Sequence, residues 1–184
     1  GKMKEPIILI GGGGHCKACI DVTERGEEFY IAGILDIHEK VGERILGYEI
    51  IGIDDDFAEL SHSFSNYLIT VGQIKSAIKR IRLYDMVKAG GGRLPAIISP
   101  NAYVAESAII GEGTIIMHNV TINAEARIGI NCILNSKALV EHEAVIGDFC
   151  HISTGAIVNG QTKVGNSCFV GSNAVLANNI SISD

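Results

Sequence analysis

The sequence predicts two units of different build: a small α/β unit with a parallel sheet over residues 1–97, and an all-β parallel helix of hexapeptide repeats over residues 98–184. Three observations predict this. In the front half, short apolar runs alternate with glycine turns and helical stretches. From Ile98 onward every sixth residue is Ile, Leu or Val. Four residues after nearly every one of these stands a small one, Ile180 being the exception, a period that neither heptads nor an amphipathic helix can produce.

The front half reads in order. Ile7-Ile8-Leu9-Ile10 is a first strand, Gly11 to Gly14 a turn, and His15 to Arg25 a helix that Gly26 can end. Tyr30 to Asp36 is a second strand and Tyr67 to Val71 a third. A helix from about Ser76 to Lys88 follows, stopped by Gly90 to Gly92. Strand, helix and strand in succession make a parallel sheet.

In the back half, the sixfold step runs from Ile98 through Val104, Ile110 and Ile116 to Ile182 without a miss. Each hexad supplies one short strand and one corner, and three hexads close a triangular coil. The aliphatic residue points inward and stacks on the one 18 residues later, while the small residue fits where a larger one would clash. Cys132, Cys150 and Cys168 fall 18 apart, so they are expected to form a column of small core residues rather than reactive thiols.

Composition bounds the function. The chain has 184 residues, 47% hydrophobic and 20% charged, enough to bury a core. Its longest apolar run, Pro6 to Ile10, is far too short to cross a bilayer, and the N-terminus lacks a leader pattern, so a cytoplasmic protein without membrane partners is expected. A net charge of −6 argues against nucleic acid. Five cysteines imply no disulfide framework. Cys16 and Cys19 form a C-x-x-C, but no second ligand pair follows, so no metal is expected and both read as small helix residues.

With these features in place, the chain resembles the hexapeptide-repeat sugar acetyltransferases. It is most similar to the nucleotide-sugar N-acetyltransferases acting on UDP-4-amino-4,6-dideoxy sugars. The resemblance runs from Ile-Gly-Gly-Gly-Gly-His at 10–15 to Val-Gly-Ser-Asn at 170–173, and is most specific over residues 140–153. It implies a Rossmann-like first unit, a left-handed β-helix and acetyl-coenzyme A as co-substrate. It also implies a homotrimer whose active sites lie between subunits. Relatives continue into a Gly-x-Pro-Ala-Lys type tail; this chain stops at Asp184 inside the repeat, so the resemblance implies a truncated C-terminus. Only Arg127, Lys137 and Lys163 are basic in the repeat half, leaving the coenzyme's phosphates to backbone groups or to that tail.

The match assigns His142 as catalytic base with Glu143 beside it, and adds Asn135, His151 and Gly160 around the acetyl donor. An amine attacking a thioester must shed a proton, and an imidazole of pKa near ~6.5 can accept it. Glu143 would fix the tautomer, although neighbours in an extended strand point apart. Gly160 lies 18 residues after His142, one coil along at the same corner, where its N–H could hold the thioester oxygen. Asn135 and His151 flank Leu134 and Ile152 on another face; seven extended residues from Asn135 reach roughly 20 Å. If they share a site with His142, they come from another subunit. His118 has no counterpart in the match and reads as a surface histidine.

Gly11, Gly12, Gly13 and Gly14 follow a strand and open a helix, the setting in which backbone N–H groups cradle phosphate. The G-x-G-x-x-G fingerprint fails at Cys16, and the unit is too short for a two-halved dinucleotide fold, so a UDP-sugar fits better. Asp36, ending the second strand, is placed for a ribose or uracil edge. His15 belongs to the family's glycine–histidine motif, and Gly72 to a second nucleotide-lining loop whose family arginine corresponds to Arg80. Rival readings are O-acetylation of a sialic acid-like sugar and a non-catalytic trimeric nucleotide-sugar-binding protein.

Overall fold

A computed structural model describes residues 3–73 and 75–182. The chain divides into two units, residues 1–72 with 78–95 and residues 73–77 with 96–184. The segment 73–77, which a single cut after residue 97 assigns to the first unit, therefore groups with the second.

In the first unit, β1 (Glu5–Ile10), β2 (Phe29–Leu35), β4 (Tyr48–Gly52) and β5 (Asn66–Ile69) are parallel, and β3 (Arg44–Ile45) pairs antiparallel to β4. The order β3-β4-β2-β1-β5 puts β1 inside the sheet, between β2 and β5. That is why Ile7 to Ile10 form an unbroken apolar run: both faces of the strand are covered, and all four residues are at most 1% exposed. Helices α1 (Gly14–Arg25), α2 (Phe57–Leu60) and α3 (Ile78–Ala89) complete the unit. The short hairpin of β3 and β4 carries too few alternating residues to be read from the sequence.

The second unit is a left-handed parallel β-helix of fifteen two-residue strands, from Ile97–Ile98 to Ser181–Ile182, in three five-stranded parallel sheets. Partners are 18 residues apart throughout: Ile116 pairs with Leu134 and Leu134 with Ile152, while Ile122 pairs with Val140 and Val140 with Val158. The inward aliphatics and the small corner residues together form one continuous buried cluster. The small residues do more than avoid a clash. Cys132 Sγ donates to Gly147 O at 3.1 Å and Cys150 Sγ to Gly165 O at 3.0 Å, while Thr114 Oγ1 donates to Gly129 O at 2.7 Å. Thiol and hydroxyl thus play one part, satisfying a buried corner carbonyl.

Every sixth residue from Gly113 to Asn179 has positive φ. Each corner turns through the left-handed region, which Asn119, Asn131 and Asn173 tolerate and which Glu125, Lys137 and Glu143 occupy at a conformational cost of roughly 1 kcal/mol. Among the described residues no helix is long and apolar enough to cross a membrane.

Candidate active site

Three expected residues meet at one corner of the β-helix. His142 stands two residues after the inward Val140, and Glu143 takes the left-handed turn at φ 61°. That turn brings adjacent side chains to the same side: His142 Nδ1 donates to Glu143 Oε1 at 3.2 Å. Extended geometry would have kept them apart. Both side chains are about half exposed, at 53% and 48%. Directly beneath the ring lies Gly160; a Cβ there would stand 2.7 Å from His142 Nε2. The Gly160 N–H has no acceptor among the described residues. With Nδ1 committed to a carboxylate, Nε2 carries the lone pair. The corner therefore presents a proton acceptor beside an open backbone donor.

Asn135 and His151 meet on the face of Leu134, with Asn135 Nδ2 3.5 Å from His151 Nε2. His151 is only 7% exposed. Its Nδ1 donates to the Gln73 carbonyl, and the Phe169 ring packs edge-on at 5.1 Å. Gln73 is in turn held by its side chain, Nε2 donating to Phe149 O at 2.7 Å. A carbonyl only accepts, so the proton sits on Nδ1 and Nε2 faces the Asn135 amide. This pair lies on a face of the coil, away from the corner that carries His142. His118 meets Ser99 Oγ at 2.6 Å through Nδ1, a side-chain contact beyond the plain surface reading.

The glycine turn assembles in the first unit. Gly11 has φ 117°, and a Cβ there would meet Val71 Cγ2 at 2.5 Å, so only glycine fits. A Cβ on Gly12 would meet Asp36 Oδ2 at 2.4 Å. Gly13 and Gly14 have nothing within 4 Å of that position, leaving the start of α1 open to an approaching ligand. Gly72 lies against His15, whose Cβ is 3.6 Å from the same probe position. Asp36 and Gly11 line a cavity of about 340 Å³ together with His38, Asp54, Asp55 and Lys79. Asp36 Oδ2 is buried and accepts no hydrogen bond among the described residues; Lys40 Nζ stands 3.9 Å away. His38, the aspartates and Lys79 were not anticipated. They come from loops and a helix start, where no periodicity marks them, though the Asp54-Asp55-Asp56 run was a visible signal.

Arg80 is 1% exposed, and its Nη1 donates to Ile69 O at 3.3 Å, at the end of β5, and to Val71 O at 2.6 Å, within the second nucleotide-lining loop. The buried guanidinium thus holds the backbone of that loop. Cys16 and Cys19 are buried on α1, and burial raises the Cys16 thiol to about 11. Among the described residues no group of three or more His, Cys, Asp or Glu is placed to hold a metal.

Two family profiles match in succession, the PglD N-terminal domain over residues 6–87 and the GMPPB C-terminal domain over residues 95–184. The UDP-N-acetylbacillosamine N-acetyltransferase of Bacillus subtilis (strain 168) is 31% identical over 112 residues, 60% of this chain and 50% of that protein. The acetyltransferase domain of PglB from Neisseria gonorrhoeae FA1090 superposes with a TM-score of 0.81 at 26% identity, covering 98% of this chain and 97% of that one. Over nearly its whole length this chain is therefore similar to sugar acetyltransferases of the hexapeptide-repeat type. The chain spans half or less of the length of the curated relatives it matches. The PglB domain has also been solved with acetyl coenzyme A, at 27% identity and a TM-score of 0.70 over 99% of this chain and 94% of that one. A perosamine N-acetyltransferase from Caulobacter crescentus, solved with CoA and GDP-perosamine, shares the fold at 24% identity and a TM-score of 0.66, over 95% of this chain and 90% of that one.

Proposed function

We propose that the protein is a cytoplasmic, acetyl-CoA-dependent N-acetyltransferase acting on the amino group of a UDP-linked 4-amino-4,6-dideoxy sugar. The observation that carries this reading is the His142 corner, with Nδ1 on Glu143 and Nε2 above Gly160. In the reaction the sugar amine attacks the thioester carbonyl, a C–N bond forms, the C–S bond breaks, and coenzyme A leaves as the thiol. His142 Nε2 takes the proton that the amine sheds. The Gly160 N–H stabilises the carbonyl oxygen as it gains charge. Glu143 holds the ring and favours the imidazolium that forms. No metal takes part in this scheme. The relatives' names support the reaction class: the Bacillus subtilis protein is named for UDP-N-acetylbacillosamine, and the PglB domain binds acetyl coenzyme A.

The cavity beside Gly11 suits the nucleotide. Asp36 lines it and supplies a carboxylate for a ribose hydroxyl, and the start of α1, with nothing within 4 Å of a Cβ on Gly13 or Gly14, has room for phosphate.

A homotrimer completes the site. The face of Val140 turns outward the column Tyr103, Thr121, Leu139, Ile157 and Val175, apolar at every position but Thr121, of which Tyr103 and Val175 are 61% and 62% exposed. Such a column supports burial against a second copy. This face is bordered on one edge by Asn135 and on the other by His142, in the same coil. A three-fold axis along the prism would set His142 of one copy against Asn135 of the next.

Thiol release from acetyl-CoA tests the proposal, with UDP- and GDP-linked 4-amino sugars run against free sialic acids. Acetylation of the UDP-linked amine is expected, and His142→Ala should lower turnover at least about 100-fold. Turnover unchanged by that substitution removes the base from the scheme; acetylation of sialic acid alone replaces the substrate class.

A further inference from the structure

The C-x-x-C of α1 is left unused by the proposed chemistry, and its second thiol has a specific partner. Cys19 follows His15 by four residues, so both lie on one helix face. Cys19 Sγ stands 3.2 Å from His15 Nε2. One turn further on, Thr23 Oγ1 donates to the Cys19 carbonyl at 2.8 Å, and both residues are buried. The contact contains one proton and allows two arrangements, S–H donating to an Nε2 lone pair or Nε2–H donating to sulfur. Sulfur is a weak acceptor and imidazole nitrogen a strong one. Burial also pushes the Cys19 thiol well above its ordinary range, so the sulfur keeps its proton. The thiol therefore donates, and the proton of the neutral ring sits on Nδ1.

We propose that Cys19 is a positioning residue for His15, its S–H fixing the imidazole in the Nδ1–H tautomer at the first turn of α1. The consequence rests on the nucleotide-sugar reading of the glycine turn. In this tautomer the nitrogen turned away from the thiol is a donor, the polarity that a phosphate or sugar oxygen requires. The opposite tautomer would set a lone pair against an anion.

The geometry is tested without substrate, so its failure is separate from that of the acetyl-transfer reading. In the full ¹⁵N-labelled chain, two-bond ¹H–¹⁵N correlation of the ring should show His15 protonated on Nδ1. Cys19→Ala should give mixed tautomers, and Cys19→Ser, which keeps an O–H donor, should retain the native pattern. An Nε2–H ring in the native chain, or an unaltered pattern in Cys19→Ala, overturns the proposal. Should Cys19→Ala fail to fold, the native spectrum and Cys19→Ser still decide. With the UDP-linked 4-amino sugar as substrate, loss of one hydrogen bond should raise KM about 5-fold in Cys19→Ala and leave kcat within about 2-fold, with Cys19→Ser restoring KM. In a His15→Asn background Cys19→Ala should add nothing further; additive effects would mean that Cys19 acts independently of His15 and overturn the assignment.

Discussion

His142 and His151 lie nine residues apart in the same β-helix, yet one is half exposed over a glycine and the other is 7% exposed against a backbone carbonyl. Their addresses within the hexad differ. His142 comes two residues after the inward Val140, at a corner, whereas His151 comes immediately before the inward Ile152, on a flat face. At its corner the His142 side chain projects from the prism edge and stays half exposed. A face residue can be covered, and Gln73 and Phe169 cover this one. The same imidazole thus becomes a presented base in one place and part of a packed seam in the other. Both have Nδ1 tied to an oxygen, but only one of those oxygens carries charge.

Substitutions at the two positions should therefore separate stability from turnover. The largest further effect is expected at the buried site. His151→Ala removes a packed ring and leaves the Gln73 carbonyl without its donor, at a cost of about 2–3 kcal/mol, or roughly 5–10 °C in Tm by calorimetry. His142→Ala should leave Tm nearly unchanged; a comparable drop in both variants would erase the distinction. Gly160→Ala comes next. Its Cβ would fall 2.7 Å from His142 Nε2, so the ring must swing aside, and kcat should fall about 10-fold with Tm held. An unaffected kcat would mean that the ring need not lie over Gly160. The smallest effect is expected from Glu143→Gln, which still accepts from Nδ1 but lacks charge. In a half-exposed pair, kcat should fall only about 3-fold, measured at saturating acetyl-CoA. A loss as large as that of His142→Ala would make the carboxylate more than an orienting group.

The sixfold period made the β-helix legible because every coil repeats the same steric demand: an aliphatic inside and a small residue at the bend. Gly160 was legible beneath His142 for the same reason, as a spacing of 18 is one full coil. Contacts without period were not legible. Gln73 reaches Phe149 and His151 across more than seventy residues, and nothing at Gln73 announces it. The resemblance ties Arg80 to the nucleotide loop, but nothing in the sequence shows that its guanidinium is buried against the carbonyls of Ile69 and Val71.

By itself, the amino-acid sequence determined the two units, the inward column from Ile98 to Ile182, the glycine turn and the pairing of His142 with the Gly160 corner. These follow from local periodicity and turn chemistry, which each short stretch carries on its own. Only the tertiary structure decided that Glu143 turns back to its neighbour, that His151 is buried, and that Asp36 lines a cavity. Those outcomes depend on left-handed corners and on which distant segment covers which face. Such facts are set by the packing of the whole chain and by no single stretch of it.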